Sequence, residues 1–144
     1  MLIEITLIAY LTNAACTLSR LFPNRHALDF GTGLLGSHKT LEGLLIGLNA
    51  GLLGTLILGF DFRIGFLVVI LALAGDLLGS FIKRLYKIPP GQPVPLLDQM
   101  DFLCLVYLFL QPTLPAIGLL FLTIIIHRLA NILAYKLGLK SVPY

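Results

Sequence analysis

The sequence predicts an all-α fold: a polytopic bundle of about five transmembrane helices. Three observations lead there: the composition, the length of the uncharged apolar runs, and the one-sided placement of the basic residues. Of 144 residues, 58% are apolar and 12% charged, and the mean hydropathy is +0.96. A soluble domain carries about 25% charged residues. Ten bases and seven acids cannot clothe a globule of this size in water. A soluble enzyme, a disordered chain and a nucleic-acid binder are set aside, and residues 1–144 read as a single integral membrane domain.

A helical span needs about 20 mostly apolar residues. The first run is Leu2 to Leu21, with Glu4 near its start. An acid and no base precede its apolar stretch, so it is expected to be retained as a span rather than cleaved as a signal. The second run is Leu41 to Phe60, uncharged from Gly43 onward. The third, Ile64 to Ile82, is interrupted only by Asp76. From Phe102 to Ile126 there is no charge, but Gln111-Pro112-Thr113-Leu114-Pro115 lies in the middle. Two prolines three apart favour a break. The stretch therefore divides into a short fourth span, about Asp98 to Gln111, and a fifth, about Pro115 to Leu137. Gly47, Gly51 and Gly54 share one face of the second span, and small residues at this spacing let helices approach closely in lipid. That packing is either internal or between copies in a homo-oligomer. Cys16 and Cys104 sit in separate apolar runs without a CxxC pattern and read as packing residues.

The charges orient the bundle. Arg20, Arg25 and Lys39 fall between spans one and two; Lys83, Arg84 and Lys87 between three and four; Arg128, Lys136 and Lys140 at or after the end of five. Only Arg63, beside Asp61, lies elsewhere. Bases concentrate in cytoplasmic loops. Five spans thus place the N-terminus outside and the C-terminus in the cytoplasm of a multi-pass cell-membrane protein. Both long loops, about 20–40 and 83–99, then face the compartment that holds nucleotides.

The polar residues inside this apolar frame are the candidates for chemistry. Asp76 lies within a span, where an acid is costly and marks a functional site by default. Asp76, Ser80, Lys83 and Lys87 are spaced 4, 3 and 4, which puts them on one helical face. The plain alternative is an Asp–Lys pair closing a helix end. Asp98 and Asp101 begin the fourth span three residues apart, where they repel unless a cation lies between them. Hard oxygen ligands of this kind suit Mg²⁺, held by one or two carboxylates plus substrate phosphates. The alternative is simple helix capping by Asp98. In Ser37-His38-Lys39-Thr40-Leu41-Glu42-Gly43, Lys39 and Thr40 stand at a helix start, where side chains and free N–H groups can hold phosphate oxygens. Asp29-Phe30-Gly31-Thr32-Gly33 adds an acid and glycines to the same loop. His127, Arg128, Asn131 and Tyr135 stripe the fifth span, for ligand contact or interhelical hydrogen bonding. His26 and His38 show no partner pattern, and no Ser/His or Cys/His dyad is present.

Gly75-Asp-Leu-Leu-Gly-Ser-Phe-Ile-Lys-Arg84, Pro93-Val-Pro-Leu-Leu-Asp-Gln-Met-Asp-Phe102 and the block from His127 to Tyr144 resemble the CDP-archaeol synthase family. His38-Lys-Thr-Leu-Glu-Gly43 sits where that family has its Lys-Thr loop motif. The resemblance implies transfer of CMP from CTP to an isoprenoid glycerol phosphate, 2,3-di-O-geranylgeranylglycerol 1-phosphate, with pyrophosphate leaving and Mg²⁺ required. It implies a site of cytoplasmic loops and adjacent helix ends. Asp76, Asp98 and Asp101 would hold the metal, with Lys83 beside them in catalysis. Lys39, Thr40, Glu42, Gly43, Ser80, Arg84 and Asn131 would contact CTP or the lipid phosphate. Two departures are visible: Ser37-His38 stands where the family often has Asp-Gly, and Lys-Thr-x-Glu-Gly is closer to the phosphatidate cytidylyltransferases. The alternatives are therefore a synthase of CDP-diacylglycerol and, in another class, a non-catalytic membrane carrier or scaffold.

Overall fold

The computed structural model describes residues 1–89, 92, 94, 96–111 and 113–136. Among them are five α-helices: α1 (Leu2–Cys16), continued by a 3₁₀ turn Thr17–Leu21, then α2 (Leu41–Ile57), α3 (Phe62–Leu85), α4 (Leu97–Leu110) and α5 (Leu114–Lys136). The five expected spans are thus five helices, with ends shifted by a few residues. The first unit, Leu2–Leu21, and α3 are each long and apolar enough to cross a bilayer by themselves. At about 1.5 Å rise per residue, α4 with its 14 residues extends about 21 Å. That is less than the roughly 30 Å of a hydrocarbon core.

Local chemistry sets the breaks. Gly59 turns the chain at φ +61 after α2. Asp61 then caps α3, its carboxylate accepting from Arg63 N and Ile64 N at 3.0 Å each. The α3 helix ends at Leu85, and Lys87 lies beyond it at φ +58. Lys87 therefore does not continue the face of Asp76, Ser80 and Lys83, because the helix that would have carried it has stopped.

The core lies between α1, α3 and α4, where Ile5, Ile8, Val68, Val69, Phe102 and Val106 are fully buried. Tyr10 of α1 meets Phe102 of α4 edge-on with centroids 5.0 Å apart. The outward face is equally apolar: Leu53, Ile57, Leu108, Phe109, Phe121 and Ile125 are all exposed. A patch of that extent is untenable in water but is the ordinary surface of a helix bundle in lipid. In that medium apolar burial gives little preference for helix contact over lipid, so close packing must hold the helices together.

Glycine provides that packing inside the chain. A Cβ at Gly47 would lie 2.9 Å from Thr12 O, one at Gly51 2.6 Å from Val69 Cγ2, and one at Gly54 2.6 Å from Leu11 Cδ2. The glycine face of α2 is therefore filled by α1 and α3. Gly51→Val should lower the thermal midpoint in detergent, with an overpacking cost of about 1–3 kcal/mol. Gly118→Ala, into open space within α5, should leave it unchanged or raise it slightly; an equal fall in the two variants would contradict this packing.

Candidate active site

The polar groups meet at one end of the bundle, where the N-terminus of α2, the C-terminal half of α3 and the start of α4 come together. The loop before α2 closes on itself. Ala27 and Thr40 form an antiparallel bridge, with Leu28 N donating to Lys39 O and Leu41 N to His26 O at 2.9 Å each. Asp29 is buried at its centre. It accepts from Gly31 N, Leu35 N and Gly36 N, each at 3.1 Å. The N–H of Leu35, with those of Gly31 and Gly36, holds its carboxyl below the usual carboxylate range.

Lys39 leaves this loop and reaches Asp76 of α3, Nζ to Oδ2 at 2.5 Å, with the two side chains 23% and 16% exposed. Nearly two turns further on, Lys83 pairs with Asp98 of α4. Asp98 does not cap α4: it lies inside the first turn, and its other oxygen accepts from Val94 N at 3.0 Å. It thereby ties the loop 83–99 to the helix start. Asp101 lies about one turn beyond Asp98 on α4, against Gly75 and Gly79 of α3. Its carboxylate packs on Gly79, where a Cβ would fall 2.9 Å from Asp101 Cγ. At Gly75 a Cβ would fall 2.9 Å from Phe102 Cα. Only glycines let α4 approach α3 this closely. The three carboxylates share one electrostatic neighbourhood, although among the described residues no three acid, His or Cys side chains are clustered tightly enough to enclose an ion.

Other sequence candidates have a visible structural task. Thr40 is buried and caps α2, its Oγ1 accepting from Gly43 N at 3.2 Å. Gly43 makes room for Cys16 O and Ser19 Oγ, 3.1 and 3.3 Å from where its Cβ would stand. Glu42 accepts from His26, at Nδ1 (2.6 Å) and backbone N (3.0 Å). His26 thus has a partner that its sequence position did not reveal, sixteen residues away. Ser80 is buried on the Asp76 face of α3. Arg84 donates from Nη1 to Ile88 O, folding the chain back after α3. Asn131 is on α5, but its side chain, like those of His127 and Tyr135, lies outside the described residues. His38, exposed beside Lys39, is pushed below its ordinary pKa by partial burial and then by the charges of Arg20, Arg25, Lys39 and Arg84. Those four bases form a basic rim beside the site.

Beside Asp101 an apolar groove of about 480 Å³ opens between α3 and α4, lined by Leu78, Gly79, Ile82, Met100, Cys104 and Leu105 among others. Asp101 is the acid in its lining. The arrangement thus combines paired lysines and acids, a basic rim and an apolar groove at one helix-end cluster. It is chemically suited to an amphiphile with an anionic head and to a polyanionic co-substrate.

Comparison with known proteins agrees. A family model described as CarS-like, CDP-archaeol synthase, matches residues 2–144. The CDP-archaeol synthase of Thermofilum pendens is 41% identical, over 94% of this chain and 76% of its own. That of Pyrobaculum calidifontis is 39% identical, over 94% and 92%. A solved structure described as an intramembrane enzyme for archaeal membrane lipids biosynthesis superposes with a TM-score of 0.76 at 34% identity, covering 90% of this chain and 92% of the other. The chain belongs to the CarS-like family of CDP-archaeol synthases.

Proposed function

We propose that this protein transfers CMP from CTP to an isoprenoid glycerol phosphate, releasing pyrophosphate and forming CDP-archaeol. The observation that carries the reading is the meeting of the Lys39–Asp76 and Lys83–Asp98 pairs around Asp101, in a chain of this family. The topology inferred from the basic residues places that meeting point on the cytoplasmic face of a multi-pass protein, where CTP is available.

The chemistry requires two anions to approach each other. The lipid phosphate attacks the α-phosphorus of CTP, forming a new P–O bond as the bond to the β-phosphate oxygen breaks. The attacking phosphate is already ionised at pH 7, so no general base is needed. What the protein must provide is position and positive charge. Lys39 and Lys83, each held by an acid, present ammonium groups to the phosphates, with Arg84 beside Lys83. Thr40, Glu42 and Gly43 shape the loop that carries Lys39. The donor set fits Mg²⁺ in kind: all three acids offer hard oxygens, and this ion needs only one or two carboxylates when phosphates complete its shell. Asp98 and Asp101, with Asp76, would hold it, and it would supply charge neutralisation at the phosphate oxygens. The acceptor's chains lie in the groove between α3 and α4, with its phosphate at the Asp101 end.

The direct test incubates the purified protein in liposomes with CTP, Mg²⁺ and either geranylgeranylated glycerol phosphate or phosphatidic acid, reading CDP-lipid by mass spectrometry. Product from the isoprenoid acceptor alone is expected. Product from phosphatidic acid alone would move the protein to the CDP-diacylglycerol reaction, and no product from folded protein would overturn the enzyme reading. Asp98→Asn and Asp101→Asn should each lower transfer by about a hundredfold or more while the protein still folds and inserts into the membrane; full activity in both would remove the metal assignment. Cys104, exposed in the groove, should react more slowly with a maleimide when the acceptor lipid is bound. Unchanged labelling at saturating lipid would move the chains elsewhere.

A further inference from the structure

We infer that Asp29 is a positioning residue for Lys39, acting on the proposed transfer through the shape of the loop between α1 and α2. The connection is short and continuous. Asp29 Oδ2 accepts from Gly36 N at 3.1 Å; Gly36 O accepts from Lys39 N at 3.1 Å; Lys39 Nζ reaches Asp76 at 2.5 Å. The backbone carbonyl of Asp29 holds the other side of the loop, accepting from Thr32 N at 2.9 Å and Thr32 Oγ1 at 2.8 Å.

The bridge between Ala27 and Thr40 ties the base of the loop, and little besides Asp29 fastens the tip between Gly31 and Gly36. Phe30 at its tip is 97% exposed, and the space around Gly31 and Gly33 is open to 4 Å. Phe30, Gly31, Gly33 and Gly36 all adopt positive φ, between +49 and +88. The exposed tip from Phe30 to Leu34 has little packing to define it, and its glycines give the unconstrained chain many alternatives. The charge-assisted bonds to one buried carboxylate select one of them. The same three N–H groups favour the ionised form, so the clasp is closed at any pH near neutrality and opens only as pH falls through the lowered value. Asp29 touches neither Asp76 nor the groove; its effect passes through Gly36 and Lys39.

The test rests on the transferase reading for one arm and is independent of it for the other. In the independent arm, full-length protein in liposomes is treated with an amine-acylating reagent, and labelling at each lysine is read by mass spectrometry. Asp29→Ala should raise the labelling rate of Lys39 about tenfold, as expected when a held ion pair is released, while Lys136 is unchanged. Unchanged labelling of Lys39 overturns the inference whatever the enzyme does. In the activity arm, Asp29→Ala should lower kcat with CTP by about a hundredfold, the scale expected of a displaced catalytic group, with the KM for lipid unchanged. The double variant with Lys39→Ala should be no worse than Lys39→Ala alone, since the two act as one unit. Additive losses would overturn the inference. Asp29→Asn, which keeps the shape and one carbonyl acceptor, should fall between wild type and Asp29→Ala and covers the case in which the alanine variant fails to fold.

Discussion

The ion pair between Lys39 and Asp76 is the constraint on which the rest of the site depends. Asp76 sits inside an apolar helix, nine residues before its end at Leu85. A carboxylate at that depth must be paired, and no base on α3 within a turn can serve it: Lys83 is nearly two turns on and is engaged by Asp98. The partner therefore comes from outside the helix. The first long loop must fold down against the bundle end to deliver it. The bridge between Ala27 and Thr40, the brace between His26 and Glu42 and the cap from Thr40 to Gly43 all bring the start of α2 into the position from which Lys39 reaches Asp76. A loop that would otherwise wander in water becomes one wall of the site.

The other wall depends on small residues. Lipid gives helices no hydrophobic reason to associate, so contact must come from close fit. Glycines on α2 admit Thr12 and Val69, and glycines on α3 admit the backbone and the carboxylate of α4 at Asp101. The second contact matters for function. With any side chain at Gly75 or Gly79, α4 would stand away from α3 and Asp101 would leave the neighbourhood of Asp76. Packing and charge are thus one design problem here: two acids at the start of a helix are tolerable because that helix lies against a neighbour carrying the lysine that neutralises one of them.

This economy explains how a chain of 144 residues can serve the chemistry proposed for it. Phosphate transfer between two ionised substrates asks for charge and alignment rather than for a nucleophilic side chain. Lysines held by acids keep fixed positions and retain ammonium protons to offer. In the proposed reaction the adjoining groove would take the chains of the acceptor while its head stays at the helix ends. In this chain the groove is built from α3 and α4, and the lysine–acid pairs from the loop before α2 together with those two helices.

The number of helices, their approximate limits and the residues that bear charge inside them follow from the sequence by itself. They rest on local rules: apolar run length, proline breaks, the cost of an acid in lipid. Asp76, Asp98, Asp101 and Lys83 stand out on those grounds alone. What the tertiary structure decided is who meets whom. Helical spacing suggested that Asp76 and Lys83 act together, yet each is paired with a residue from a different element, because chain reversals bring Lys39 and Asp98 closer than the helix's own next turns. Thr40, a candidate phosphate contact, also caps α2, and Asp98, a candidate metal ligand with helix capping as its alternative, pairs with Lys83 instead of capping α4. His26 looked solitary, since a contact across sixteen residues leaves no local periodicity. Asp29 read only as one more acid, since its three partners are backbone N–H groups, which every sequence has and none displays.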